Sequence, residues 1–318
     1  MQVVEGSSPI RVLLIGFGRM GLTHLSILSG LVGSRYLEIV VVDNSLISRR
    51  LAKEVLPAAR VFRKLSDIPV AKSGQFDYCL ITTPPINRKS LIEEASAICE
   101  SLFIEKPLTV PLGRNQMSGY VLQHAPLNAE VFDCMSGKTT PRIFGRLTTN
   151  ITFSAVEKGW RAGKFGNVLF EFGGHLLTLI AATCGTEKFL LQSVEDGALS
   201  ITSQDTDLMV FRFSSAGIQV DIELTAGSSE VRKASYEIEY HTPDNVYIYD
   251  LYSLKRRRIG NDREEEVLTS IASKSTSVPF YVRGFEFTAQ MEAFLNRTFD
   301  RLSVPQINNI ENLVERMS

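Results

Sequence analysis

The chain has 318 residues, 44% of them hydrophobic and 22% charged, with a formal net charge of −1 at pH 7. That length accommodates two domains with a core each, and a nearly neutral chain offers no general attraction to nucleic acid or to an anionic membrane surface. No apolar run approaches the roughly eighteen residues of a membrane span, and the first residues, Met1-Gln-Val-Val-Glu-Gly-Ser-Ser8, lack the basic-then-apolar order of a signal peptide, so a cytoplasmic location is expected.

In chain order, Val12 to Ile15 reads as a short strand buried on both faces. It runs into Gly16-Phe17-Gly18-Arg19-Met20-Gly21, which opens a helix carrying Leu22, Leu25 and Leu28. In that setting each glycine has its own physical reason. Gly16 permits the tight turn, Gly18 allows close approach of the backbone to a pyrophosphate, and Gly21 allows packing of the helix on the strand, with the phosphates at the positive helix N-terminus. A second apolar strand, Leu37 to Val42, ends in Asp43, the acid that a ribose diol requires at about this distance along the chain. A dinucleotide is the implied ligand, and the negative charge of Asp43 favours NAD, with NADP as the alternative.

Helices follow at Arg49 to Val55 and Arg88 to Ile98, the latter with Leu91, Ile92, Ala95 and Ile98 on one face. Between them lies a strand at Tyr78–Thr82, stopped by Thr82-Thr83-Pro84-Pro85 at the carboxyl end, where open α/β sheets bind ligands. Further strands are read at Ser101–Ile104, followed directly by Glu105-Lys106-Pro107, and at Ala129–Phe132. Alternation of this kind predicts a doubly wound parallel sheet, a Rossmann domain over residues 1–125.

From about residue 140 the pattern changes. One helical stretch, Leu169 to Thr183, precedes alternating segments at Leu208–Phe213, Gln219–Leu224, Tyr236–Tyr240 and Val246–Tyr252, which predict an open, mainly antiparallel sheet in an α+β domain over residues 126–318. Met209, Phe211, Ile222, Leu224, Ile238 and Tyr240 are read as enough for two apolar sheet faces, one packed on helices and one on another subunit in a homodimer or homotetramer. A last helix is read at Arg283 to Phe299. The basic run Lys255-Arg-Arg-Arg258 is read as a solvated turn between strands. Cys79, Cys99, Cys134 and Cys184 have no metal-ligand spacing and apolar neighbours, so reduced core thiols and no metal site are expected.

Lys106 is the first candidate catalytic residue. An amine that directly follows a buried strand, desolvated beside a cationic nicotinamide, has its pKa lowered towards the range where it moves a proton at neutral pH. In Glu171-Phe-Gly-Gly-His175 the i to i+4 spacing sets the two side chains on one helical face, if the helix has begun by then.

These motifs, in this order, resemble the glucose-fructose oxidoreductase and inositol dehydrogenase (Gfo/Idh/MocA) family over nearly the whole chain: Gly16 to Gly21, Asp43, Thr83-Pro-Pro85, Glu105-Lys-Pro107, Trp160-Arg161, Glu171 to His175 and Gly185. The resemblance implies that Lys106 hydrogen-bonds the substrate oxygen beside the nicotinamide, that the peptide before Pro107 is cis, and that His175 shares the proton work with Glu171. It implies cofactor contacts from Gly16, Phe17, Gly18, Arg19, Met20, Gly21, Asp43, Thr83, Pro84, Glu105 and Lys106, and substrate contacts from Lys106, Trp160, Arg161 and His175. Three positions depart from the family pattern: Glu171 stands for the usual aspartate, Thr178 for another, and Arg88 for a histidine after the Pro-Pro turn, where it could cap the helix or reach a phosphate. The implied activity is an NAD(P)-dependent interconversion of a secondary alcohol and a ketone on a sugar, sugar nucleotide or cyclitol. The alternatives are an imine or enone reductase of the same fold and a non-catalytic dinucleotide-binding sensor.

Overall fold

The structure, a computed structural model, describes residues 9–33, 37–69, 76–85, 88–108, 112–125, 127–149, 169–185, 188–199, 206–227, 235–251, 255–260, 264–268, 285–298 and 306–308. The chain divides into two compact units: residues up to Gly119 together with those from Phe287 in a late helix, and the residues from Tyr120 to Glu286 together with a late strand.

In the first unit, β1 (Ile10–Ile15), β2 (Leu37–Val42), β3 (Arg60–Phe62), β4 (Phe76–Ile81), β5 (Cys99–Ile104) and β6 (Gln116–Ser118) form a parallel sheet in the order β3-β2-β1-β4-β5-β6. Successive residues of a strand point to opposite faces, so the complete burial of Val12, Leu13 and Leu14 in β1 means that both faces are covered. Helices α1 (Arg19–Val32), α2 (Leu46–Val55) and α3 (Arg88–Ser96) make the connections. The strand order reverses between β1 and β4, and at such a point an open sheet leaves a crevice beyond its carboxyl ends. β3 and β6 have three residues each, too few to show a period, and neither is legible in the sequence.

The strand read at Ala129–Phe132 is part of a helix, α4 (Leu127–Met135). Four apolar residues cannot by themselves distinguish the two periods. Here Val131 and Met135, one helical turn apart, both face the core of the second unit, and the Asn128 amide donates to the Leu122 carbonyl at 2.6 Å.

The second unit is a nine-stranded sheet. Its strands are β7 (Arg142–Thr148), β8 (Lys188–Leu199), β9 (Thr206–Ser215), β10 (Ile218–Ala226), β11 (Ser235–His241), β12 (Asn245–Asp250), β13 (Lys255–Gly260), β14 (Glu264–Leu268) and β15 (Gln306–Asn308), in the order β14-β13-β12-β11-β7-β10-β9-β8-β15. Among the described strands of this sheet, only the β7–β10 and β8–β15 pairs are parallel. One sheet face packs on α5 (Gly174–Cys184) through Ile143, Leu147, Phe211, Ile222, Leu224, Ile238 and Tyr240. The expectation of two apolar faces is therefore corrected, because Phe211, Ile222, Leu224, Ile238 and Tyr240, with Met209 packed against them, all belong to that single core.

The alternate positions carry charge. Arg146 on β7 meets Glu223 at 3.1 Å and Glu237 at 2.6 Å, Arg142 meets Asp221 at 2.6 Å, and Arg212 is paired with Glu195. The basic run is likewise no turn. Lys255 to Arg258 lie in β13, where Arg257 and Arg258 stand across from Glu266 and Glu265 of β14, and Arg257 reaches Glu237 at 3.4 Å. A sequence read in one dimension cannot show that pairing.

The last helix, α6 (Phe285–Leu295), contributes Met291, Phe294 and Leu295 to the core of the first unit. Tyr78 donates its hydroxyl to the Leu295 carbonyl at 2.8 Å and Gln290 its amide to that of Ser118 at 3.0 Å. The first unit is thus assembled from two separate stretches of chain, across the boundary read at residue 125.

Candidate active site

Gly16 leaves β1 with φ of +97°, a conformation open to glycine, and its N–H donates to the Val42 carbonyl at 2.8 Å. Thr82, at the end of β4, donates its hydroxyl to the Gly16 carbonyl at 2.7 Å and closes the turn. A Cβ on Gly21 would collide with that same carbonyl oxygen, whereas one on Gly18 would meet nothing within 4 Å. The two glycines thus have different reasons: Gly21 lets α1 lie against the loop, and Gly18 keeps a space open at the helix N-cap. No side chain caps α1 there. The amides of its first turn, at Arg19, Met20 and Gly21, are those that a helix leaves without intrahelical acceptors, which makes them suitable for phosphate oxygens.

Asp43 follows β2. Its Oδ2 accepts the Phe17 N–H at 2.7 Å and its Oδ1 the Ser45 N–H at 2.8 Å. A carboxylate has about four acceptor sites, so two remain for ribose hydroxyls. Beside it Arg49 donates to the carbonyls of Asp43 and Asn44, at 2.8 Å each. An open space at Gly18, a helix N-terminus and a partly exposed acid at the switch point fit a dinucleotide, with the pyrophosphate at Gly18 to Gly21 and the adenosine ribose at Asp43.

The Glu105-Lys106-Pro107 turn leaves β5, two strands from β1 with β4 between them, and its Lys106–Pro107 peptide is cis, as the resemblance implied. Glu105 is buried; its N–H donates to the Ile81 carbonyl at 2.9 Å and its Oε2 accepts the Lys106 N–H at 2.9 Å. Two residues not assigned to the site from the sequence complete the turn. His24, on the buried face of α1, places Nε2 2.7 Å from Glu105 Oε1. Arg88, 1% exposed, donates to the carbonyls of Glu105, Pro107 (2.7 Å) and Thr83, so it neither caps α3 nor points to a phosphate. The signal for His24 was present in the sequence: a histidine at i−4 from Leu28, on an apolar stripe, needs a buried partner. Thr83 lies against Gly16, at 3.0 Å from where a Cβ would stand, and gives its carbonyl to Arg88; Pro84 follows in the same turn.

In the second unit, His175 is buried in the first turn of α5, with Tyr120 and Tyr236 edge-on at 5.6 and 5.9 Å. Thr178 donates its hydroxyl to the His175 carbonyl at 2.9 Å. Glu171 lies in a π-helical turn, Leu169–Gly173, that precedes α5, so the regular α-helical spacing assumed for Glu171 and His175 does not hold. Trp160 and Arg161 lie outside the described residues.

The fold is thus a parallel sheet with a glycine loop at its switch point, joined in one chain to a large and mainly antiparallel sheet. No sequence-family model matches the chain, and no curated protein matches it by sequence. Solved structures do match. A dehydrogenase from Chromobacterium violaceum superposes with a TM-score of 0.65 at 12% identity, over 98% of this chain and 96% of that one. An oxidoreductase from Agrobacterium radiobacter, solved with NAD+, L-tartaric acid and magnesium, gives 0.65 at 12% identity over 93% and 91%. A 3-ketoreductase from Actinomadura kijaniata, solved with NADP and TDP-benzene, gives 0.61 at 12% identity over 92% of each chain. The structural neighbours are Gfo/Idh/MocA-type dehydrogenases, and the resemblance read from the motifs holds as a likeness of fold.

Proposed function

We propose that this chain is an NAD(P)-dependent oxidoreductase that interconverts a secondary alcohol and a ketone on a sugar nucleotide or related sugar. The observation that carries this reading is the Lys106 turn, which leaves β5, one strand beyond β4, and is tied to the glycine loop through Arg88 and Thr83. The ketoreductase neighbour, solved with NADP and a thymidine diphosphate compound, supports the substrate class. Gly16 to Gly21 hold the pyrophosphate and Asp43 the adenosine ribose. The bound dinucleotide supplies or takes up the hydride. Lys106 holds the substrate oxygen and passes a proton to it during reduction, or receives it during oxidation, while His175 serves as the second proton carrier.

A panel of TDP- and UDP-sugars, free hexoses and inositols, followed by nicotinamide absorbance with NAD+ and NADP+, tests the reading. With the substrate so found, Lys106→Ala is expected to fold, bind cofactor and lose roughly 10²–10⁴ in turnover. Turnover within about threefold of wild type would remove Lys106 from the mechanism. His175→Asn is expected to lower turnover and flatten the pH–rate profile near neutrality, whereas a core histidine would show instead as a lower melting temperature with intact activity.

One observation favours the non-catalytic sensor: Thr178 turns its hydroxyl onto the backbone, so this position brings no acid to the imidazole. Cofactor binding without turnover of any panel member would decide for that alternative.

A further inference from the structure

We propose that Arg88, together with the buried His24–Glu105 pair, is a positioning element that sets where the Lys106 side chain stands. The inference rests on the reading of Lys106 as the proton-handling group. Arg88 holds the carbonyls of Glu105 and Pro107, the residues immediately before and after Lys106. Glu105 holds the Lys106 N–H. The peptide before Lys106 and the one that follows Pro107 are therefore held by side chains that lie out of solvent.

Arg88 is the first residue of α3, where the helix macrodipole disfavours a cation. A fully buried guanidinium at that position weakens the helix, so its role lies outside it. The planar fork with five N–H donors reaches three carbonyls from the ends of two strands, β4 and β5, and the carbonyl dipoles compensate its burial. A lysine, with its donors on a single atom, cannot span that set.

His24 stands one residue short of a full helical turn past Gly21, on the helix whose N-terminus closes the glycine loop. Its ring packs on Phe103 at a centroid distance of 4.6 Å and delivers Nε2 to Glu105. One rigid helix thus carries both the phosphate end of the site and the partner of the residue before Lys106. Gly119 completes the support, because a Cβ there would come within 2.9 Å of Glu105 Cα and of Lys106 N.

The test is ¹³C reductive methylation of the lysines, which retains their charge, followed by NMR of the full chain with NAD+ as the probe. Lys106→Arg identifies the Lys106 resonance. In wild type this resonance is expected to be sharp and to move on addition of NAD+. In Arg88→Lys, and independently in His24→Gln, the resonance of the free protein is expected to shift and broaden. Its response to NAD+ should fall to less than roughly half, with NAD+ affinity within about threefold of wild type, because loss of a supporting contact loosens the site rather than the phosphate cradle. If Arg88→Lys does not fold, His24→Gln gives the same reading. A folded variant that melts at a lower temperature but leaves the Lys106 resonance and its NAD+ response unchanged would overturn the proposal, since that is the signature of a merely structural role. No NAD+ response of Lys106 in wild type would instead count against its place beside the nicotinamide, and the free-state comparison would still judge the positioning.

Discussion

The Phe17 N–H donates to Asp43 Oδ2 at 2.7 Å, so the acid that ends β2 is part of the glycine loop before any ribose arrives. The second oxygen takes the Ser45 N–H and orders the turn into α2. The carboxylate expected to read the cofactor is thus fixed in place by the backbone it serves, and the consequences for cofactor choice can be measured.

A fixed carboxylate accepts from both ribose hydroxyls of NAD and repels the 2′-phosphate of NADP. Arg49 offsets part of that repulsion, yet its NH1 is engaged by the Asp43 and Asn44 carbonyls. Wild type is expected to bind NAD+ more tightly than NADP+, and Asp43→Ala to move the ratio of dissociation constants towards NADP+ by about tenfold, or ~1.4 kcal/mol. Fluorescence titration of both cofactors checks this. Tighter NADP+ binding by wild type, or an unmoved ratio, would reject it.

Gly18 and Gly21 are expected to respond oppositely to alanine. At Gly21 the new methyl meets the Gly16 carbonyl and, at 2.9 Å, Thr82 Oγ1, and backbone cannot yield as a side chain can, so a loss of about 2–3 kcal/mol in stability is expected from urea unfolding. At Gly18 the methyl meets no protein atom and the backbone is extended with φ of −94°, so stability should stay within ~0.5 kcal/mol while NAD+ affinity falls. Equal stability of the two variants would contradict the geometry.

Burial raises the Cys184 thiol pKa to about 11 and that of Cys79, with a further contribution from Cys99, well above the usual value. At pH 8 a thiol of pKa about 11 is ionised at roughly one part in a thousand, so both residues should resist alkylation in native protein and react on unfolding. The folded state favours the protonated form. Its contribution to stability is therefore complete below the unfolded pKa near 8.5 and declines as pH rises towards the folded value. Peptide mapping after iodoacetamide treatment, native and denatured, gives the comparison.

The sheet face away from α5 carries Arg142, Arg146, Arg212 and Arg257 among Asp221, Glu223 and Glu237. If a dimer or tetramer forms on this face, as we expect, the contact is polar and screened by salt. Light scattering at micromolar concentration should report an oligomer that dissociates at about 1 M NaCl, where the Debye length is roughly 3 Å. A monomer at low salt would reject the assembly, and an oligomer indifferent to salt would place its contact elsewhere.

The sequence by itself determined the parts of this protein whose physics is local. Val12 to Gly21 is a strand, a turn and a helix start because apolar residues and glycines at that spacing admit little else, and Glu105-Lys106-Pro107 follows a strand whose burial its composition announces. The alternating segments at Leu208–Phe213, Gln219–Leu224 and Tyr236–Tyr240 are strands for the same reason. Tertiary structure decided what depends on partners far away in the chain. Ala129 to Phe132 became helix because Val131 and Met135 share a core, and Lys255 to Arg258 became strand because β12 and β14 pair with them on either side. α6 joined the first unit through Tyr78 and Ser118, contacts more than a hundred and seventy residues away. Arg88 and His24 are the clearest case. The sequence marks one as a histidine on an apolar stripe and the other as a departure after the Pro-Pro turn, but only the folded chain brings them to Glu105, since a buried polar group needs partners that distant residues supply.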